Sequence, residues 1–178
     1  MTLPVIREVK PGDALDLTRL YHLTWLDTYP NEKAGITRDD IEQSYKDSYT
    51  EIFQEKQKKR LSTIAENEKY LVAEKDGKVV GAARMILRDG FNQLQTIYVL
   101  PDYQGQGIGQ ALWDKAYAFA NPEWKTVVHV AGYNVGAISF YKKQGFVETG
   151  KTFTEERLKL PSGAMFIETE LVLKAHRK

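Results

Sequence analysis

A glycine-rich turn between an apolar strand and an amphipathic helix constrains the fold of this chain more than any other feature. Residues 94–100 have the apolar, β-branched and aromatic character of a buried strand, which Pro101 ends. The loop 104–109, QGQGIG, follows, and the helix after it has one apolar face. This order forms an anion site, because the loop N–H groups and the positive end of the helix dipole point to the same place. Glycine lets the backbone approach a phosphate without a Cβ atom in the way.

The spacing of the glycines separates three kinds of phosphate loop. A P-loop requires Gly-Lys-Ser/Thr, but Gln110 follows Gly109 here, and it also occupies the third glycine position of a dinucleotide-binding G-x-G-x-x-G. The pattern that fits is Q/R-x-x-G-x-G/A, carried by Gln104, Gly107 and Gly109. This pattern resembles the pyrophosphate loop of the GNAT acetyltransferases, which cradles coenzyme A. From the loop alone, a flexible turn without a ligand is an equal alternative.

A second motif lies downstream. Asn134, Ala137 and Tyr141 are spaced i, i+3 and i+7, which places them on one face of a short helix. The segment 134–146 is similar to the second GNAT signature, N-x-x-A-x-x-F-Y-x-x-x-G-F. Taken singly, Asn134 is interpreted as a helix cap and Tyr141 as a half-buried ring. Together and in this order, the two motifs favour the GNAT family, with specific motifs between residues 69 and 173.

The resemblance and the local signals predict the same fold. It is an α/β (α+β) fold of the GNAT acyl-CoA N-acyltransferase type, with a central mixed, mostly antiparallel sheet flanked by helices. Asp76-Gly77 predicts a hairpin between two of the strands. The crossover helix at 105–120 predicts that strands 94–100 and 126–131, the fourth and fifth, are parallel and splayed. The length suits one N-acetyltransferase domain over residues 1–178.

Several local features complete the expected layout. They are a first strand over 3–9, a helix capped by Asp13, a second helix capped by Thr37, a solvated helix face at 54–60 and a polar tail at 174–178.

The composition excludes several functional classes. The net charge of +1 and the pI near 7.8 give no support for binding to nucleic acid or a membrane surface. The chain has no cysteine, which excludes a thiolate nucleophile, and we expect no metal site. The first residues lack a long apolar run, so a cytoplasmic location is expected. The partner is expected to be a small-molecule amine, and a homodimer is left open.

The resemblance implies direct transfer of an acetyl group from acetyl-CoA, the cosubstrate, to a primary amine. A backbone N–H at Tyr98 or Val99 would stabilise the oxyanion, and Tyr141 would be the catalytic general acid near the cofactor sulfur. The residues implied in cofactor binding are Ile97, Tyr98, Val99, Gln104, Gly105, Gln106, Gly107, Ile108, Gly109, Gln110, Asn134, Ala137 and Tyr141.

The general base departs from the family pattern. Many relatives carry a glutamate on the fourth strand, where this chain has Gln93 and Gln95, and an amide cannot accept the proton. The alternatives are a water chain, Asp27, His22, or an amine that arrives deprotonated. His129 is interpreted as a strand residue without an assigned role.

The acceptor is predicted from the aromatic stretch 24–29, TWLDTY, which loosely resembles the bacterial polyamine acetyltransferases. Trp25, Asp27 and Tyr29, together with the turn near Pro161, are expected to line a pocket for a primary amine, with a polyamine as the first choice. A peptide or protein N-terminus and an aminoglycoside-type amine are alternatives. A coenzyme A-binding module without catalysis, or a different phosphate binder, are two further classes.

Overall fold

The computed structural model describes residues 4–175, and within them the chain forms a seven-stranded sheet with helices on both faces. The strands are β1 Val5–Glu8, β2 Glu68–Lys75, β3 Lys78–Arg88, β4 Phe91–Val99, β5 Lys125–Ala131, β6 Val147–Phe153 and β7 Glu168–Leu173. The helices are α1 Ala14–Thr28, α2 Arg38–Tyr45, α3 Glu51–Leu61, α4 Ile108–Tyr117 and α5 Val135–Lys143. None of these helices has the length and apolar character that a membrane span requires.

The sheet has the order β1-β2-β3-β4-β5-β7-β6, and its β4–β5 pair is parallel whereas the other neighbours are antiparallel. The parallel register runs from Phe91–Lys125 to Leu94–Val128 and ends there. Beyond that point β4 continues to Val99 beside β3 and β5 continues to Ala131 beside β7, so a gap opens between them. The predicted mixed sheet with a parallel splay is therefore confirmed.

Helices from different parts of the chain cover the two faces. Because side chains alternate along a strand, Tyr70 and Val72 of β2 pack with α1 and α3, whereas Leu71 and Ala73 pack with α4 and α5. A third cluster joins the end of α1 and α2 to the loop between β6 and β7, through residues such as Leu26, Ile41 and Phe166.

Gly81 explains how closely α4 approaches the sheet. A Cβ atom at this position of β3 would lie 3.0 Å from Leu112 Cδ1 and 3.0 Å from the Tyr98 carbonyl oxygen. Any larger residue would have to displace the helix or the neighbouring strand. The close contact fixes the beginning of α4 beside the end of β4.

The local predictions have mixed outcomes. Thr37 caps α2 as predicted, and its hydroxyl accepts a hydrogen bond from Asp40 N. Asp13 occupies the predicted N-cap position of α1, but its carboxylate makes no capping hydrogen bond there and instead binds Arg7 and the backbone N–H of Lys10. Gln54 is buried rather than solvated, and its amide donates to Ser48 O. The ends of the predicted first strand and tail, residues 1–3 and 176–178, lie outside the described residues.

Candidate active site

A cleft of about 870 Å³ lies at the gap between β4 and β5. The end of α1, the exposed part of β4, the glycine loop with the start of α4, and the start of α5 form its walls. The predicted residues that line it are Asp27, Tyr29, Ile97, Tyr98, Val99, Gln104, Gly105, Gly107, Gly109, Gln110, Asn134, Ala137 and Tyr141.

The glycine loop presents an open backbone to this cleft. Gly105 and Gly107 have φ angles of 72° and 79°, which lie in the left-handed region that favours glycine. A Cβ atom built on either residue would meet no atom within 4 Å, so the space beside the backbone is free. Gly107 is also the N-cap of α4, whose first N–H groups have no intrahelical partners. The loop thus has the geometry of an anion site.

Two glutamine side chains of the loop hold its backbone in place. The Gln104 amide donates to Val99 O at 3.0 Å, and the Gln106 amide donates to Asp102 O at 3.0 Å. The side chain of Ile108 lies in the core and is 2% exposed. Gln106 and Ile108, both predicted as cofactor-binding, are therefore not among the residues that line the cleft.

Helix α5 carries the second predicted motif into the opposite wall of the cleft. Asn134 Oδ1 accepts a hydrogen bond from Ala137 N at 3.0 Å and caps the helix. Tyr141 packs edge-on against Phe140 and tilted against Phe146, and it is 5% exposed. Burial raises the pKa of the Tyr141 phenol well above its ordinary value, so its hydroxyl stays protonated at neutral pH.

The gap between β4 and β5 contains a pair of hydrogen-bonded tyrosine hydroxyl groups. The Tyr29 hydroxyl hydrogen-bonds the Tyr98 hydroxyl at 2.8 Å. Burial raises the pKa of Tyr98 to about 12, so this phenol also stays neutral. Because the parallel register ends at Leu94, the residues of β4 around these rings have backbone groups that face the gap instead of β5.

A second, smaller cavity of about 290 Å³ lies on the α1 side of the sheet, and we call it the acceptor pocket. It shares with the cleft Tyr29, Gln95, Thr96, Tyr98 and His129. Its walls include Trp25 and Phe166, which pack edge-on at 5.6 Å. Of these two cavities, Trp25 lines the acceptor pocket and not the cleft, whereas Asp27 lines the cleft and not the pocket. The loop between β6 and β7 contributes Leu158 and Phe166, not the predicted turn at Pro161.

One end of the acceptor pocket holds an acidic cluster. One ligand-type atom each from His129, Glu155 and Glu168 lies within 4.8 Å of the others. His129 Nδ1 is 3.8 Å from Glu155 Oε1, and Nε2 is 3.9 Å from Glu170 Oε2. Burial opposes ionisation of Glu170, but Thr149 and Lys151 outweigh it and lower its pKa. A cluster of this kind attracts a cation, such as an ammonium group.

The other end of the pocket holds two arginines. Arg84 donates two hydrogen bonds to the carboxylate of Glu68, at 2.6 and 2.8 Å. Burial disfavours the ionised form of Glu68, but this pairing outweighs it and lowers the pKa. Arg60 lies 4.0 Å from the same carboxylate and 5.9 Å from the centre of the Tyr70 ring.

The structure separates the candidate bases. His22 hydrogen-bonds Tyr49 and Glu42 and is not among the residues that line either cavity. Asp27 is exposed at the mouth of the cleft, and Gln93 accepts a hydrogen bond from Arg88. His129 lines both cavities at the gap. No role could be predicted for His129, because a single histidine within a valine-rich strand carries no motif.

Comparison with known families agrees with this geometry. The model of the acetyltransferase (GNAT) family matches residues 38–146. The chain belongs to the GNAT family. An uncharacterised N-acetyltransferase of Methanocaldococcus jannaschii is 36% identical over 88 residues, which cover 44% of this chain and 39% of that protein. Mouse N-acetyltransferase 8 is 37% identical over 94 residues, which cover 48% of this chain and 41% of that protein. The chain thus matches less than half the length of either relative.

Solved structures show the GNAT fold over nearly the whole chain. The PaiA N-acetyltransferase of Thermoplasma acidophilum, crystallised with coenzyme A, has a TM-score of 0.67 and 23% identity, covering 99% of this chain and all of that one. The ribosomal-protein-S18-alanine N-acetyltransferase of Escherichia coli has a TM-score of 0.64 and 17% identity, covering 99% and 96%. At these identities the likeness establishes the fold alone.

Proposed function

We propose that this GNAT protein is an N-acetyltransferase that moves the acetyl group of acetyl-CoA directly to a primary amine. The observation that carries the proposal is the meeting of two cavities at the gap between β4 and β5. The cleft with the glycine loop suits an anionic cofactor, and the acceptor pocket suits an amine. Tyr29, Tyr98 and His129 line both cavities where the two ligands would meet.

The cleft fits coenzyme A by the shape and polarity of its backbone. The free space beside Gly105 and Gly107, together with the N-terminus of α4, would hold the pyrophosphate. Asn134, Ala137 and Tyr141 would face the pantetheine arm from α5. Backbone N–H groups of β4 at Tyr98 or Val99 would bind the acetyl oxygen.

When bound, acetyl-CoA supplies an acetyl group on a thioester that an amine can attack directly. The new C–N bond forms as the C–S bond breaks, so two protons must move. Tyr141 carries one of these protons on its buried hydroxyl and can donate it to the departing sulfur. Protonation is favoured there because an apolar site disfavours the charged thiolate relative to the neutral thiol.

His129 is proposed to accept the other proton, from the amine. The acceptor amine must lose this proton as it forms the new bond, and Gln93 and Gln95 cannot take it. The imidazole lines both cavities, and Glu155 and Glu170 lie within 4 Å of its nitrogens, where they stabilise the imidazolium that forms. His129 therefore takes the place of the missing glutamate.

The acceptor class is a small primary amine, and a polyamine is its first candidate. Exposed Asp27 at the cleft, and Glu155 and Glu168 in the pocket, would attract ammonium groups. A peptide N-terminus and an aminoglycoside-type amine are the other candidates.

Acetyl transfer to an amine panel tests this function. The protein is incubated with acetyl-CoA and polyamines, amino acids, peptides or aminoglycosides, and the acetylated amine is identified by mass spectrometry while free thiol is quantified. The expected result is an acetylamide and coenzyme A in equal amounts. Tight binding of acetyl-CoA by calorimetry, without transfer to any amine, would instead identify a coenzyme A-binding module without catalysis.

A further inference from the structure

The charges along the acceptor pocket are arranged as a dipole. Arg60 and Arg84 lie at one end, and His129, Glu155 and Glu168 lie at the other, with aromatic rings between them. We propose that the preferred acceptor carries a carboxylate as well as its amine, as an amino acid with a long side chain or an ω-amino acid does. This inference rests on the proposed function, narrows its class of primary amines and replaces the polyamine as the first candidate.

The sheet register separates the two ends. Arg84 on β3 lies opposite Thr96 on β4, and Glu168 on β7 lies opposite Ala131 on β5. The strand order β3-β4-β5-β7 places three strand spacings between Arg84 and Glu168, and since β4 and β5 are splayed at this level their backbones are separated by more than roughly 14 Å. Both side chains reach inward to line the same pocket, so a small molecule can contact both ends.

The arginine end has an excess of positive charge among the side chains that the structure describes there. Arg84 is paired with Glu68 through two short hydrogen bonds. Arg60 shares that same carboxylate only at 4.0 Å, and its side chain is 44% exposed. Two guanidinium groups therefore face one carboxylate. A second carboxylate, supplied by the acceptor, would balance the charge and match the planar fork of a guanidinium.

The acidic end suits the amine that reacts. His129 and Glu168 lie beside the gap where the cleft and the pocket join, and His129 lines both. An amine held there would face the acetyl group, while a carboxylate on the same molecule points to the arginines. A polyamine would bring its second ammonium group toward Arg60 and Arg84, where like charges repel.

Competing acceptors of equal length test the inference. The value of kcat/KM is measured for aminohexanoate, diaminohexane and hexylamine, with aminohexyl phosphate to separate a carboxylate from a phosphate. We expect aminohexanoate to exceed diaminohexane by at least about tenfold, equivalent to about 1.4 kcal/mol. A preference for diaminohexane overturns the inference and favours a polyamine, and a preference for the phosphate overturns its choice of anion.

Arg60→Gln assigns the effect to the pocket, and Arg60 is chosen because its contact with Glu68 is the longer one. This variant should lower the ratio of aminohexanoate to diaminohexane about tenfold. Arg19→Gln, an exposed arginine of α1 that lines neither the cleft nor the acceptor pocket, should keep the wild-type ratio. An unchanged ratio in Arg60→Gln contradicts the inference.

Binding measurements keep the inference independent of catalysis. If no amine is acetylated, calorimetric titration of the protein saturated with coenzyme A compares aminohexanoate with diaminohexane directly. Tighter binding of aminohexanoate that is lost in Arg60→Gln supports the pocket assignment even though the proposed function has failed. If neither compound binds, the pocket assignment itself is wrong.

Discussion

The cofactor cleft and the acceptor pocket are built in different ways. Short continuous segments supply two walls of the cleft, the loop 104–109 at the start of α4 and the helix α5 with its cap Asn134. Around one run of β4, residues 93–98, the pocket gathers scattered side chains from α1, α2, α3, β2, β3, β5, β7 and the loop before β7. The cleft depends on backbone conformation, whereas the pocket depends on charge and aromatic packing. A recognition site for a shared cofactor can therefore stay constant while the acceptor site varies residue by residue.

Tyr141→Phe should have the largest effect, and it tests the cleft. The change removes one hydroxyl and keeps the buried ring, so the fold should survive. Loss of a positioned proton donor should lower the single-turnover rate by about 10²–10⁴-fold with little change in acetyl-CoA affinity. Tyr117→Phe, the same change on a ring stacked against Trp113 outside the cleft, is the control. A wild-type single-turnover rate in Tyr141→Phe would leave this residue with a packing role.

His129→Gln should have the next largest effect, on the pocket side of the gap. Glutamine keeps a polar side chain of similar size but cannot accept the proton, so kcat should fall by about 10²-fold. Raising the pH should restore part of the rate, because a larger fraction of the amine then arrives deprotonated. His22→Gln, which changes a histidine bound to Glu42 and Tyr49, is the control. If the variant keeps the wild-type rate and pH profile, His129 is not the base.

Asp40→Ala should damage the pocket and spare the cleft. The Asp40 carboxylate accepts a hydrogen bond from Thr37 N in the reciprocal cap of α2. It also accepts a hydrogen bond from Ser162 N, in the loop between β6 and β7 that carries Phe166 of the pocket. We expect a loss of about 1–2 kcal/mol in the free energy of unfolding, and a several-fold higher KM for the amine with acetyl-CoA affinity unchanged. Asp39→Ala, at the exposed neighbouring position, is the control. Equal losses in the apparent affinity for the amine and for acetyl-CoA would contradict the proposed separation of the two sites.

The same carboxylate gives a pH dependence to stability. Hydrogen bonds from Ser162 and Thr37 lower the pKa of Asp40 from 3.8 to about 2. A lowered pKa in the folded state means that its contribution is present above pH 4 and is lost as the pH falls toward 2. The difference in unfolding free energy between wild type and Asp40→Ala should therefore shrink over this range, as denaturant titrations can measure. A constant difference would contradict the lowered pKa.

Gly109→Ala should have the smallest effect, and it sharpens the role of the glycine loop. Gly109 has no positive φ, and an added Cβ would lie 3.7 Å from Phe140, which is an ordinary contact. The fold should be unaffected while the methyl group narrows the cleft, so acetyl-CoA should bind a few-fold more weakly. Gly107→Val is a poorer test, because its φ of 79° strains any larger residue. Gly12→Ala, a glycine in open space, is the control, and unchanged affinity in Gly109→Ala would contradict the proposed approach of the cofactor.

The difference between the two sites also explains what the sequence could predict. The loop around Gly107 and the helix starting at Asn134 are contiguous, and their spacing alone specifies positive φ angles and a shared helix face. The strand splay follows from the crossover through α4. Arg60, Arg84 and Glu168 are far apart in the chain, and only the order of the strands brings them to one pocket.

Two local misses have the same physical origin. Asp13 has the residue type and position of a helix cap, but Arg7 on the neighbouring strand offers its carboxylate two hydrogen bonds at 2.8 Å. Gln54 occurs in a charged run, but the turn between α2 and α3 buries it against Thr18 and Ser48. In both cases a partner outside the helix decides the position of a polar side chain, and the residue pattern of the helix does not encode that partner.

The opening of the sheet at Leu94–Val128 has a kinetic consequence. The cleft and the acceptor pocket are separate cavities that share residues at this gap, among them Tyr29, Tyr98 and His129, so we expect each substrate to enter through its own cavity. With two entrances, neither substrate would have to bind before the other, and neither product would block the release of the other. The order of substrate addition should therefore be random. A single compound that joins an amine to coenzyme A would have to occupy both cavities and pass through the gap between β4 and β5.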